Sequence, residues 1–215
     1  MEGRGWGGLH VIADWGTGSE ATPVAIAGAA LAGGARIIQV RVKGAASRAL
    51  YDWADRVAAL VRKHPGARLV VNDRVDVALA VGADAVHLGE GDLSPADARE
   101  AIAASGRPLA RGLSTHDIAQ ARRAARAGAA YIGFGPVFPS SSKADALPPR
   151  GIDRLAEVCR RVPVPVIAIG GIDLAGAREA AKAGAAGVAV ISAVANAPDM
   201  RAATEALAAV FQAAC

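Results

Sequence analysis

The stretch Val70 to Gly89, VVNDRVDVALAVGADAVHLG, contains one complete strand–turn–helix–strand unit. Arg68 to Val71 is apolar and β-branched, as a buried strand requires. Arg74 to Val81 places apolar residues at helical spacing and ends at Gly82, the expected stop. Ala85 to Leu88 then begins another strand. The polar pair Asn72 and Asp73 therefore stands at the C-terminal end of a parallel strand, the edge where α/β folds place their chemistry.

The same pattern extends in both directions. Strand signals recur at Leu9–Asp14, Arg36–Val42, Arg68–Asp73, Ala85–Gly89, Leu109–Thr115, Tyr131–Pro136, Val164–Gly170 and Gly187–Val194. Helical patterns lie between and after them, at Thr22–Ala32, Ser47–Lys63, Arg74–Val81, Ser94–Ala104, His116–Ala127, Ile152–Arg161, Leu174–Ala183 and Asp199–Ala213. Ser47 and Ser94 have N-cap chemistry, Pro95 suits the first helical position, and Gly128 and Gly184 close their helices. The phrases LAGGARIIQV, AVGADAVHLG, RAGAAYIGFG and KAGAAGVAVI repeat one solution to the helix–Gly-Ala–strand turn. Eight such units at about 25 residues each predict a (β/α)8 TIM barrel as a single α/β domain over residues 1–215, with residues 1–8 a flexible N-terminus. A doubly wound open sheet is the alternative, but no GxGxxG follows the first strand.

Composition narrows the function. Hydrophobic residues make up 53% of the 215 and charged ones 20%, which suits a large core and argues against disorder. The net charge of +4 falls mostly on predicted helices (Arg122, Arg123, Arg126, Arg160, Arg161) rather than in a tract with aromatics, so solvated helix faces explain it and nucleic acid is not an expected partner. Cys159 and Cys215 have neither metal nor redox spacing. No apolar run reaches the roughly 18 residues of a membrane span, and MEGRGWGG is not a signal peptide, so a cytoplasmic protein without membrane partners is expected. Oligomeric state is open, a homo-oligomer included.

The strand ends carry the chemistry. In QVRVK, alternation puts Gln39, Arg41 and Lys43 on one face and Val40 and Val42 on the other. Three polar groups in a barrel lumen are costly without a ligand. Strand 3 delivers Asn72 and Asp73; strand 4 is followed by Glu90 and Asp92. Two carboxylates from adjacent strands suit Mg²⁺, which takes one or two carboxylates plus substrate phosphates and keeps several waters. Arg41 and Lys43 would hold the same polyphosphate. Taken singly, each carboxylate has a structural role instead: Asp73 as N-cap of the third helix, Asp92 as cap of the turn DLSP. Together with the two cations they favour a metal–diphosphate site. Strand 5 ends in Ser114, Thr115 and His116, the last expected to begin helix 5. His87 reads as a satisfied interior histidine, and His10 and His64 carry no signal.

The longest loop, GPVFPSSSKADALPPRG, follows strand 6 and offers Ser140, Ser141 and Ser142 to an anion, with Lys143 as fixed charge. Strand 7 ends in Gly170-Gly171 and strand 8 in Ile191-Ser192-Ala193, small residues that let backbone N–H groups approach a phosphate. The residues thus predict two anion sites in one mouth, and a reaction that joins or cleaves two phosphorylated small molecules.

From Leu9 to Val194 the chain resembles the thiamine-phosphate synthase (thiamine-phosphate pyrophosphorylase) family. The resemblance lies in QVRVK, NDRVDVALAVGADAVHLG, Asp92, STH at Ser114–His116, GFGPVFPSSSK at Gly133–Lys143, and AIGGI with GVAVISA. It implies that a hydroxymethylpyrimidine diphosphate loses pyrophosphate while a thiazole phosphate attacks its methylene. It assigns Gln39–Lys43, Asn72, Ser114 and Lys143 to the pyrimidine diphosphate, with Arg41, Lys43, Ser114 and Lys143 as the catalytic set. Asp73 and Asp92 would hold Mg²⁺; Ser140–Ser142, Gly171, Ile191 and Ser192 would hold the thiazole phosphate. The chain departs from the family at Val42, where an acid is common, and at Ser140 and Ser142, where threonines are. A thiazole tautomerase-like isomerase and a non-catalytic thiazole phosphate-binding barrel are the competing functions. Arg41, Lys43, Asp73, Asp92 and Lys143 together, with Pro136 where a catalytic histidine would stand, favour the synthase.

Overall fold

Eight parallel strands close on themselves in the computed structural model of the chain, which describes residues 3–15, 20–139 and 147–212. They are β1 (Gly8–Trp15), β2 (Ile37–Val42), β3 (Arg68–Asn72), β4 (Ala85–Leu88), β5 (Ala110–Thr115), β6 (Tyr131–Phe134), β7 (Val166–Ile169) and β8 (Gly187–Val190). Each pairs with the next in chain order, and β8 returns to β1. Helices α1 (Pro23–Ala32), α2 (Ser47–Val61), α3 (Val75–Val81), α4 (Pro95–Ser105), α5 (Ile118–Arg126), α6 (Ile152–Arg161), α7 (Leu174–Lys182), α8 (Ser192–Ala195) and α9 (Met200–Gln212) alternate with or follow the strands. This is the expected (β/α)8 barrel, built as one domain.

The period-two alternation of each strand sorts its side chains into two cores. Val11, Ile38, Val40, Val42, Val71, Val86 and Leu88 face outward and pack against the helices. Ile12, Ile37, Val70, Ala85, Tyr131, Ile167 and Ala189 form a separate cluster inside the barrel.

That inner cluster includes Trp6, which corrects the expectation of a flexible start: Gly3–Trp6 is a 3-10 helix whose tryptophan is buried. Its ring stacks on Tyr131 at 5.4 Å, and the Arg68 guanidinium lies 4.6 Å from the centroid. His10 donates from Nε2 to the Trp6 carbonyl at 2.9 Å. Burial lowers its pKa to about 4, so the ring is neutral.

Several boundaries differ from the sequence expectation. The eighth strand stops at Val190 rather than Val194, and Ser192–Ala195 turns into a short helix; a continuous apolar run does not reveal where strand becomes helix. Ser47 is the first residue of α2, not its cap: Ala46 is the cap, without a side-chain bond, and Ser47 Oγ accepts from Arg74 Nη1 instead. Helix α5 begins after His116, capped by Asp117, whose carboxylate accepts from Gln120 N at 2.7 Å. Ser94 caps α4 as expected, with Pro95 at its start. Cys159 lies on α6, its thiol pushed up to about 11 by burial, while Cys215 lies outside the described residues. No described helix is long and apolar enough to cross a membrane.

The ring closes where Gly8 N donates to Ala186 O at 2.8 Å and Gly8 lies in register with Gly187. A Cβ on Gly187 would overlap the Gly8 backbone, which has no side chain to yield. Gly187→Ala is therefore expected to destabilise by about 3 kcal/mol in urea unfolding. Gly28→Ala, inside α1 with open space around it, should instead stabilise by about 0.5–1 kcal/mol. Equal midpoints for the two variants would refute this account of the seam.

Candidate active site

At the C-terminal ends of the strands a cavity of about 270 Å³ opens, lined from every side of the barrel. Strand β2 contributes Gln39, Arg41 and Lys43, as alternation predicts. Val40 and Val42 do not reach it: their side chains belong to the outer core, so only their backbone can meet a ligand. That also explains why an apolar residue is tolerated at Val42, since it packs rather than binds.

Arg41 is fixed by a residue that the sequence did not single out for a role. Its Nη1 donates to Asp14 Oδ1 at 2.8 Å, across the β1–β2 pairing that sets Asp14 beside Arg41. The Arg41 side chain is 12% exposed and that of Asp14 1%, while Asp14 Oδ2 is buried without a partner among the described residues. An ion pair this buried, with one oxygen unsatisfied, holds the guanidinium at the mouth at the expense of stability.

At the end of β3 the backbone turns sharply. Arg74 N donates to Asn72 O at 2.8 Å, closing a three-residue turn around Asp73. Asp73 has φ 64°, the one positive value among described non-glycine residues. Such γ-turns are strained, and strain of this kind collects at functional positions. The turn overrides the capping alternative: Arg74 is the N-cap of α3, with no side-chain cap bond, and the Asp73 carboxylate meets Lys43 Nζ at 2.5 Å instead.

Asp92 reaches the same place from the loop after β4, its Oδ2 accepting from Gly89 N at 2.7 Å. The turn-capping role and membership of the pair therefore coexist. Burial, and the hydrogen bond shared with Asp92, raise the Asp73 carboxyl above its ordinary value against the pull of Lys43. For Asp92, burial opposes the charge, but the bond from Asp73, the Gly89 N–H and Lys43 outweigh it and lower its pKa. The two carboxylates thus push each other's titration in opposite directions, a conflict that a cation between them would relieve. Counting Asp14, Asp73 and Asp92 against Arg41 and Lys43, this side of the mouth holds three acids and two bases.

Asn72 and Ser114 line the cavity from β3 and β5. His87, expected as a satisfied interior residue, is bonded as expected but points into this space: its Nε2 lies 3.0 Å from Ser114 Oγ and its Nδ1 3.1 Å from the Tyr131 hydroxyl. His116 lines the cavity too and donates from Nδ1 to Gly135 O at 2.5 Å.

Across the mouth stand Gly171, Ile191 and Ser192, the last two where β8 gives way to α8. Gly170 and Gly171 have φ 95° and 64°, and a Cβ on either would overlap the segment Pro136–Pro139. That segment is held by Val137 N to Ile169 O at 2.9 Å and Phe138 N to Gly170 O at 3.0 Å. The glycine pair is thus required by packing alone. Ser140, Ser141, Ser142 and Lys143 lie outside the described residues.

Comparison with known proteins gives one consistent picture. The family model described as thiamine monophosphate synthase matches residues 9–194. The chain is 47% identical over 207 residues to the thiamine-phosphate synthase of Anaeromyxobacter dehalogenans, covering 96% of this chain and 89% of that protein. It is 47% identical over 203 residues to that of Roseiflexus castenholzii, covering 94% and 87%. The solved thiamine phosphate pyrophosphorylase of Pyrococcus furiosus superposes with a TM-score of 0.86 at 38% identity, covering 98% of each chain. A 3-hexulose-6-phosphate synthase, at 20% identity and TM-score 0.64, shares the fold alone.

Removing Asp14 would strand the Arg41 charge in a largely buried place. Asp14→Ala is expected to lose about 3 kcal/mol of stability. Lys43→Ala should lose less than about 1 kcal/mol, because the Lys43 side chain is 53% exposed. Urea midpoints compare the two, and a Lys43 loss as large as that at Asp14 would refute the assignment of Asp14–Arg41 as the structural pair.

Proposed function

Since the chain belongs to the thiamine monophosphate synthase family and is a transferase, we propose that it joins 4-amino-2-methyl-5-(diphosphooxymethyl)pyrimidine to 4-methyl-5-(2-phosphoethyl)thiazole, releasing pyrophosphate, with Mg²⁺ bound. The observation that carries this reading is the convergence of Arg41, Lys43, Asp73 and Asp92 on one cavity whose opposite wall offers Gly171, Ile191 and Ser192. A site for a single thiazole phosphate has no use for the first group.

The donor set fits the metal. Asp73 and Asp92, which meet at the mouth, would be the protein ligands of a cation here, a sparser set than the three or more His, Cys, Asp or Glu side chains that no cluster among the described residues supplies. Mg²⁺ accepts such a sparse set because water and substrate oxygens complete its shell. When bound, it supplies positive charge to the departing pyrophosphate. In the reaction, the methylene C–O bond breaks and its electron pair leaves with pyrophosphate. The thiazole nitrogen then donates its lone pair to the pyrimidine methylene. No general base is required, so catalysis consists of neutralising the leaving group and aligning the partners. Arg41 and Lys43 neutralise, with Lys143 of the strand-6 loop as a third cation. Gln39, Asn72 and Ser114 orient the pyrimidine diphosphate. Ser140–Ser142, Gly171, Ile191 and Ser192 take the thiazole phosphate, where the start of α8 offers backbone N–H groups.

Pyrophosphate release should need both substrates and Mg²⁺ together. Asp73→Ala should abolish that metal-dependent release while circular dichroism shows an intact fold. Full activity in this variant would remove the metal assignment, and release from the pyrimidine alone would remove the coupling of the two half-sites. A second expectation concerns Lys143: Lys143→Ala should lower kcat more than it weakens thiazole phosphate binding. The reverse pattern in steady-state kinetics would move Lys143 to the thiazole side.

A further inference from the structure

Inside the barrel, three polar side chains from three adjacent strands form a chain: Tyr131 on β6, His87 on β4 and Ser114 on β5. The strands are shaped around it. Gly112 lies in register between His87 and Tyr131, and a Cβ there would overlap the Tyr131 ring. Gly133 lies beside Ser114, and a Cβ there would come within 3.2 Å of His87 Cε1. Two glycines in strand interiors weaken the strands they sit in. Here they clear the path by which a β6 side chain crosses β5 to reach β4. The Tyr131 and His87 rings also stack, with centroids 5.6 Å apart.

The direction of the chain follows from the tyrosine. Tyr131 is 1% exposed, and burial pushes its pKa well above the ordinary value, so the hydroxyl keeps its proton. If His87 donated from Nδ1 to this oxygen, the phenolic proton would be buried without an acceptor among the described residues. The phenol therefore donates and His87 Nδ1 accepts. A neutral imidazole with a bare Nδ1 carries its proton on Nε2, and Nε2 lies 3.0 Å from Ser114 Oγ. Ser114 accepts that proton and must aim its own elsewhere.

We infer that Tyr131 and His87 are positioning residues that fix the Ser114 hydroxyl as a donor toward an acceptor atom of the bound pyrimidine diphosphate. The assignment rests on the reading above that Ser114 binds this substrate. Ser114 touches the ligand, while His87 and Tyr131 act through it. From the sequence, Ser114 is expected at the site and His87 as a structural histidine; the direction of the relay comes from the buried phenol.

Nitrogen-15 NMR of the imidazoles in the substrate-free wild-type protein reads the tautomer directly, with His87 assigned by its loss in His87→Gln. The expected result is His87 protonated on Nε2 alone; a ring protonated on Nδ1, or on both nitrogens, overturns the relay. In Tyr131→Phe the Nδ1 partner is gone, so the tautomer preference should weaken and kcat/KM should fall roughly three- to tenfold. Unchanged tautomer and unchanged kcat/KM would overturn the inference. His87→Gln keeps an acceptor toward Tyr131 and a donor toward Ser114, and should recover most of the turnover that His87→Leu loses; equal losses in the two would refute positioning by hydrogen-bond direction. A wild-type protein with the expected tautomer but no pyrophosphate release would sink the proposed reaction and, with it, the role of the relay in substrate binding.

Discussion

The contact between two bare backbones, Gly8 against Gly187, is the point on which the architecture depends. Parallel strands can form an open sheet of almost any width, but a closed ring must bring its first and last members together in a definite register. Once that seam is made, tilt and stagger are set for the other strands, and so is the height at which each one's last inward side chain emerges. Gln39, Asn72, Ser114 and Ile191 come from elements far apart in sequence, yet one closure condition puts them around a single opening. The lower part of the lumen is filled by Ile12, Ile37, Val70, Ile167 and the Trp6–Tyr131 stack. His10, bonded to the Trp6 carbonyl, is the polar exception there; Gln39, Arg41, Asn72 and Ser114 stand above it.

Those polar groups hold one another in place. Arg41 is held by Asp14 and Lys43 by Asp73, so each cation at the mouth has a fixed carboxylate partner. The cost is carried by the protein: a buried pair with a carboxylate oxygen unpartnered among the described residues, a γ-turn on a non-glycine residue, and two carboxylates that shift each other's titration. None of these features helps a barrel fold. All lie within four neighbouring strands, β1 to β4, and the loops that follow them, a concentration of locally unfavourable features that packing does not require.

Much of this was legible in the chain because it depends on short-range rules. Alternation alone placed Gln39, Arg41 and Lys43 inward and Val40 and Val42 outward, and Gly82 marked the end of α3 through its left-handed backbone. What escaped was set by register between distant segments. Asp14 meets Arg41 because β1 and β2 pair at those residues, a separation of 27 positions that no local pattern encodes. Tyr131 meets His87 across 44 positions, and only through the gap at Gly112. Ser47 looked like a cap because serine favours that place, but the Arg74 guanidinium claims its oxygen. The run GVAVISAV gave no sign of where β8 stops, since a buried strand and a buried helical turn are equally apolar there.

Trp6 closes the N-terminal end of the lumen like a stopper, backed by Arg68 and stacked on Tyr131. Among the described residues, the cavity therefore opens at the C-terminal ends of the strands and is floored at the other end. A floor made of stacked rings is stiffer than one of aliphatic side chains, so the depth of the cavity is set by the N-terminal residues of the chain rather than by the loops at its mouth.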